Sequence, residues 1–116
     1  MAYVDGFVLA VPTARKDEYI AHATKAAEIF RELGMTRLVE CWGDDVHRGK
    51  TTDFFMAVKA KEDETVVFSW MEWPSRDAHD AAMKKMETDP RFKEMGEMPF
   101  DGKRMIFGGF VPVVDL

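Results

Sequence analysis

Thr65-Val66-Val67-Phe68-Ser69-Trp70-Met71-Glu72-Trp73-Pro74-Ser75 is the stretch on which the fold turns. Six of its first nine residues are β-branched or aromatic, and they predict a strand from Thr65 to Trp73. Pro74 closes that strand, and Ser75 is placed to cap the helix that follows. Ala78, Ala82, Met83 and Met86 give this helix a buried stripe with His79 at its edge, and Asp89-Pro90 ends it.

Outward from this unit the chain repeats the pattern. Tyr3 to Val11 reads as a strand, and Tyr19, Ala23, Ala26, Ala27, Phe30 and Leu33 form the stripe of a first helix closed by Gly34. Thr36 to Trp42 is a second strand, and Arg104 to Val111 a fourth after the Phe100–Lys103 turn. Between the halves, Gly43 to Lys50 is a loop, and Asp53–Val58 reads as a short helix capped by Thr51 or Thr52, or else as an edge strand. Arg91 to Pro99 reads as Met-rich and irregular. The order β-α-β-β-α-β predicts an α+β, ferredoxin-like sandwich with a four-stranded antiparallel sheet, one domain over residues 1–116.

Two helices cover one face of such a sheet. Strand alternation gives Tyr3, Asp5, Phe7 and Leu9 against Val4, Gly6, Val8 and Ala10. The smaller set suits a position under the helices, which would leave Tyr3, Phe7, Leu9, Leu38, Trp42, Phe68 and Trp70 on the open face. An apolar open face calls for cover, so a homodimer is expected.

Composition excludes several functions. A net charge of -5 disfavours nucleic acid. No apolar run is long enough to span a membrane. The opening residues lack the basic stretch of a leader, and the single cysteine, Cys41, cannot form an internal disulfide. A cytoplasmic protein is expected, with Cys41 a buried, inert thiol. No glycine-rich phosphate loop or nucleophile elbow is present. Asp44, Asp45 and His47 lack a convergent fourth ligand, so neither metal nor other cofactor is expected.

Four strings carry a family resemblance: Tyr3-Val4-Asp5-Gly6-Phe7-Val8, Glu40-Cys41-Trp42-Gly43-Asp44-Asp45-Val46, Val66-Val67-Phe68-Ser69-Trp70, and Met98-Pro99-Phe100-Asp101-Gly102-Lys103-Arg104-Met105-Ile106. In this order they resemble the small bacterial YbaA-like family of unknown function. That resemblance implies a dimeric α/β barrel, in which two ferredoxin-like sheets pack face to face. The wider superfamily holds cofactor-independent monooxygenases, haem-degrading enzymes, decarboxylases and plain ligand-binding proteins. Its haem-degrading members use an asparagine, and this chain has none.

Candidate chemistry falls to Asp5, Glu40 and Glu72, which alternation places among the large aromatics, with His79 as a further polar group. A carboxylate on an apolar face loses hydration and can act as acid or base near neutral pH. Alternatively these groups pair with Arg37, Lys103 or Arg104 and are structural. Tyr3, Phe7, Trp42, Phe68 and Trp70 could stack on a flat aromatic or quinone-like ligand, and Arg104 is a further candidate for binding it. Two functions stand: a homodimer that binds or converts a small apolar or aromatic molecule without metal or nucleotide, or a non-enzymatic structural or stress-related accessory protein whose sheet face is only an interface.

Overall fold

The computed structural model describes residues 2–116. Strand β1 runs Tyr3–Pro12, helix α1 Lys16–Glu32 and strand β2 Arg37–Trp42. A one-turn helix α2, Phe54–Ala57, precedes strand β3, Glu64–Trp73. Helix α3 spans Arg76–Thr88, short α4 Pro90–Glu94, and strand β4 Ile106–Phe110. The strands form one antiparallel sheet in the order β2-β3-β1-β4.

Local chemistry sets the element ends. The Ser75 hydroxyl accepts from the Ala78 amide at 3.1 Å and starts α3. Gly34 follows α1 at φ +116°, a conformation open to glycine. The Asp53–Val58 segment is a helix, not an edge strand, and its cap is Asp53, whose carboxylate accepts from Met56 at 2.7 Å and Gly49 at 2.9 Å. Asp89 likewise accepts from the Arg91 amide at 2.9 Å and organises α4 where an irregular stretch was expected.

Strand β4 is shorter than its apolar run. Asp101 caps a 3-10 turn at Gly102–Arg104, and Arg104 swings back to Glu64, with both guanidinium Nη atoms 2.7 Å from its carboxylate.

Register corrects the face assignment for two strands. Gly6 pairs with Trp70 and Val8 with Phe68, while Val39 and Cys41 pair with the same two residues from β2. Directly paired residues share a face. Phe68, Trp70 and Glu72 are therefore on the open face, as expected, together with Val4, Gly6 and Val8. Tyr3, Asp5, Phe7, Leu9, Leu38, Glu40 and Trp42 lie instead on the helix face. There Leu9, Val11, Tyr19 and Val67 form one core cluster, and Met35, Met71, Trp73 and Ala82 another.

The small β1 residues make room for large rings on neighbouring strands rather than for helices. A Cβ added at Gly6 would stand 3.3 Å from the Phe110 ring.

Candidate functional site

The open face carries an apolar groove of about 580 Å³. Val4 and Val8 form its floor, Phe68 and Trp70 one wall, Ile106 and Phe110 the other. Phe68, Ile106 and Phe110 are 45%, 46% and 60% exposed, unusual for residues of this size around one groove. Gly6 and Gly108 keep the floor low. A smaller hollow of about 200 Å³ adjoins it across Phe68, lined by Cys41, Val46 and Phe54. Phe54, Phe68 and Trp70 stand in sequence, with ring centres 6.2 Å and 5.9 Å apart. Cys41 is exposed rather than buried, because the register turns it to this face.

Glu72 is the candidate carboxylate on the groove side. It accepts from the Trp70 indole at 2.9 Å and stands 3.5 Å from Arg37, the structural pairing set out above. Arg104 is not at the groove: its guanidinium is divided among Glu64, Asp101 and the Lys59 carbonyl. Those bonds hold the Glu64 carboxyl down to about 2.

Asp5 and His79 meet on the opposite face. His79 Nε2 lies 3.0 Å from Asp5 Oδ1, and the Trp73 indole donates to Asp5 Oδ2 at 2.9 Å. The other imidazole nitrogen, Nδ1, is 2.9 Å from Asp80. Tyr3 and Trp73 bracket the imidazole at centroid distances of 4.9 Å and 5.7 Å. Asp5 is buried, so these donors replace the water it loses. The cluster fastens α3 to β1 and β3.

A second polar cluster joins α1 to β2. The Tyr19 hydroxyl donates to Glu40 Oε1 at 2.6 Å, and Ser69 gives a further side-chain bond. Loss of hydration raises the Glu40 pKa above the ordinary carboxylate value, while the two hydrogen bonds pull it partly back. Burial together with the nearby Glu40 charge pushes the Tyr19 phenol far up. His22, half-buried against Phe100, is shifted down by burial.

The candidate residues thus divide: Phe68, Trp70 and Glu72 stand at the groove, Tyr3, Asp5 and His79 under α3, Glu40 and Trp42 beside α1, Phe7 between the two helix-face cores, and Arg104 apart with Glu64 and Asp101. Tyr19, Ser69, Trp73 and Phe110 are contributors that the sequence reading did not single out. Ser69, a small polar residue buried between the inward Val67 and Met71 of β3, was the available signal.

Residues 2–102 match the family described as "Protein of unknown function (DUF1428)". The chain belongs to this family. It is 62% identical over 116 residues to the uncharacterized protein YbaA of Escherichia coli K12, covering 99% of each. The Shigella flexneri YbaA matches with the same 62% identity. Among solved structures, a dimeric ferredoxin-like protein from an uncultured marine organism superposes with a TM-score of 0.59 at 12% identity, over 99% of this chain and 98% of the other. A mutant of SnoaB, a cofactor-independent oxygenase from Streptomyces nogalater, gives a TM-score of 0.51 at 19% identity, over 99% and 94%. At such identities the likeness is one of fold. The DUF1428 chain is an α+β, ferredoxin-like domain whose sheet by itself is open, not closed into a barrel. Among the described residues no helix is long and apolar enough to cross a membrane.

Proposed function

We propose that this protein is a cytoplasmic homodimer in which a second copy covers the open sheet face, and that the groove there takes a small apolar or aromatic molecule without metal or nucleotide. The observation that carries this reading is the groove itself, with aromatic walls on a face that the α2 segment covers only at one end, where Val58 and Phe55 pack on Ala10 and Val66. Phe68, Ile106 and Phe110 in contact with water oppose solubility, and a second copy offers a self-complementary cover. The ferredoxin-like neighbour is itself dimeric, which supports a dimer here.

A filled sheet face would leave only an interface, but two hollows separated by Phe68 favour a retained cavity. The few polar groups at the walls are engaged with each other: the Trp70 indole bonds to Glu72, and Glu72 faces Arg37. A flat, uncharged ring is the ligand such walls accept.

Light scattering of the purified chain should give twice the 13.3 kDa of one chain. Titration with 1,4-naphthoquinone should quench tryptophan emission to saturation, and Phe68→Ser should remove the saturable phase. A monomer at micromolar concentration overturns the reading. A dimer that shows no saturable quenching leaves the accessory role in its place.

A further inference from the structure

We propose that Glu40, positioned by Tyr19, forms a proton-transfer site on the helix face of the sheet, open at the β2 edge, for a small aryl-substituted carbonyl compound with an acidic C–H bond. This site is distinct from the groove, because Glu40 alternates with Val39 and Cys41, which face the other way. It stands whether or not the groove binds a ligand.

The first support is the state of Glu40. It is exposed along the strand edge, yet its carboxylate end is held under the Tyr19 hydroxyl at 2.6 Å. Among the described residues no cation stands within ion-pair distance of it. Arg37, on the same strand, faces Glu72 across the opposite side of the sheet. An unpaired, partly dehydrated carboxylate within reach of solvent is suited to take and return a proton. Asp5 differs, since buried donors surround it.

The second support is the wall around it. The Tyr19 ring lies 6.4 Å from Trp42 and 5.8 Å from Phe100, the latter edge-on. The Lys16 ammonium stands 5.3 Å from the centre of the Trp42 ring, so a positive charge marks the rim. Aromatic sides, a base and a rim cation suit a planar ring bearing a carbonyl and an anionic group. Glu40, Trp42 and Phe100 all come from two of the four strings that carry the family resemblance.

The chemistry balances without a co-reactant. The Glu40 carboxylate, held at Oε1 by Tyr19, accepts the proton on the carbon beside the substrate carbonyl. The C–H electron pair becomes the new C=C bond, and the carbonyl π pair moves to oxygen, which takes a proton from water. Glu40 then returns its proton to water, and the net change is keto-to-enol isomerisation. Tyr19 is a positioning residue that stays protonated throughout.

The test follows exchange of the phenylpyruvate methylene protons with deuterium oxide by proton NMR. The full chain should accelerate exchange about 100-fold over buffer, the lower range for one general base. Glu40→Gln, verified as folded by circular dichroism and melting, should return it to the buffer rate. Tyr19→Phe removes a bond that holds the carboxyl down, so the midpoint of the pH–rate profile should move upward. Exchange no faster than buffer, or a folded Glu40→Gln variant as fast as the parent, overturns the proposal. An unmoved midpoint in Tyr19→Phe removes Tyr19 from the site.

Discussion

The indole nitrogen of Trp73 donates to the buried carboxylate of Asp5 at 2.9 Å, linking the end of β3 to the start of β1 on the helix side. Tyr3 pairs directly with Trp73 in the same ladder, and His79 reaches the other oxygen of Asp5 from α3. Three elements meet on one carboxylate. Asp5→Ala would leave the indole and imidazole donors unpaired, at a cost of about 2–3 kcal/mol. Asp5→Asn keeps an acceptor for Trp73 and should cost less. Urea unfolding of both variants at pH 7 checks the order, and equal midpoints for Asp5→Ala and the parent would contradict it.

Glu64 and Arg104 make stability depend on acid. The Glu64 carboxyl falls from its ordinary 4.5 to about 2 through the bonds from Arg104 and the Lys61 amide. A lowered folded-state value means stabilisation that is complete above the ordinary range and disappears as pH falls toward 2. The contribution at neutral pH is at most about 3 kcal/mol, at roughly 1.4 kcal/mol per pKa unit. Glu64→Gln should therefore lower the melting temperature at pH 7 and converge with the parent near pH 2.

Glu40 has the opposite sign. Its folded-state pKa is raised, so the protonated carboxyl contributes fully below the ordinary 4.5, and that contribution is lost as pH climbs through the raised value. Glu40→Gln should match or exceed the parent's stability at pH 7, with no gain at pH 4. Calorimetry at the two pH values reads this directly, and clear destabilisation at pH 7 would show that burial does not dominate at this site.

Gly109 is required by Tyr3. A Cβ added there would lie 2.7 Å from the ring carbon that carries the hydroxyl, and the oxygen is closer still. Gly109→Ala should cost about 1–3 kcal/mol by forcing the ring aside. In a Tyr3→Ala background the same substitution should cost little, a coupling that a double-mutant cycle measures.

Trp70→Ala should act on association more than on the monomer. Trp70 stands on the open face, while the cores under the helices are built from Leu9, Val11, Tyr19 and Val67 and from Met35, Met71, Trp73 and Ala82. A central aromatic at an interface is worth about 2 kcal/mol or more, roughly a thirtyfold rise in dimer Kd. Sedimentation equilibrium of the variant provides the measurement.

Element order and type were legible in the sequence because each strand and helix carries its own period. The Thr65–Trp73 run, the α1 stripe and the Ser75 cap are local signals, and local hydrogen bonding and burial satisfy them. The caps Asp53, Asp89 and Asp101 were local too, but aspartates are plentiful and only the bent backbone picks out which ones accept amides.

Which face of β1 and β2 meets the helices was decided by tertiary structure. Alternation divides a strand into two sets but does not orient them, and here both sets of β1 are largely apolar. Bulk alone pointed the wrong way, since Val4, Gly6 and Val8 look like residues meant for packing under helices. The pairing of Gly6 with Trp70 and Gly108 fixes the matter: small residues sit where large rings from neighbouring strands need room. That one register separates Asp5 and Glu40 from Glu72. The sequence by itself determined three carboxylates and a set of aromatics; the sheet ladder, a long-range relation between residues up to about a hundred positions apart, decided which of them share a site.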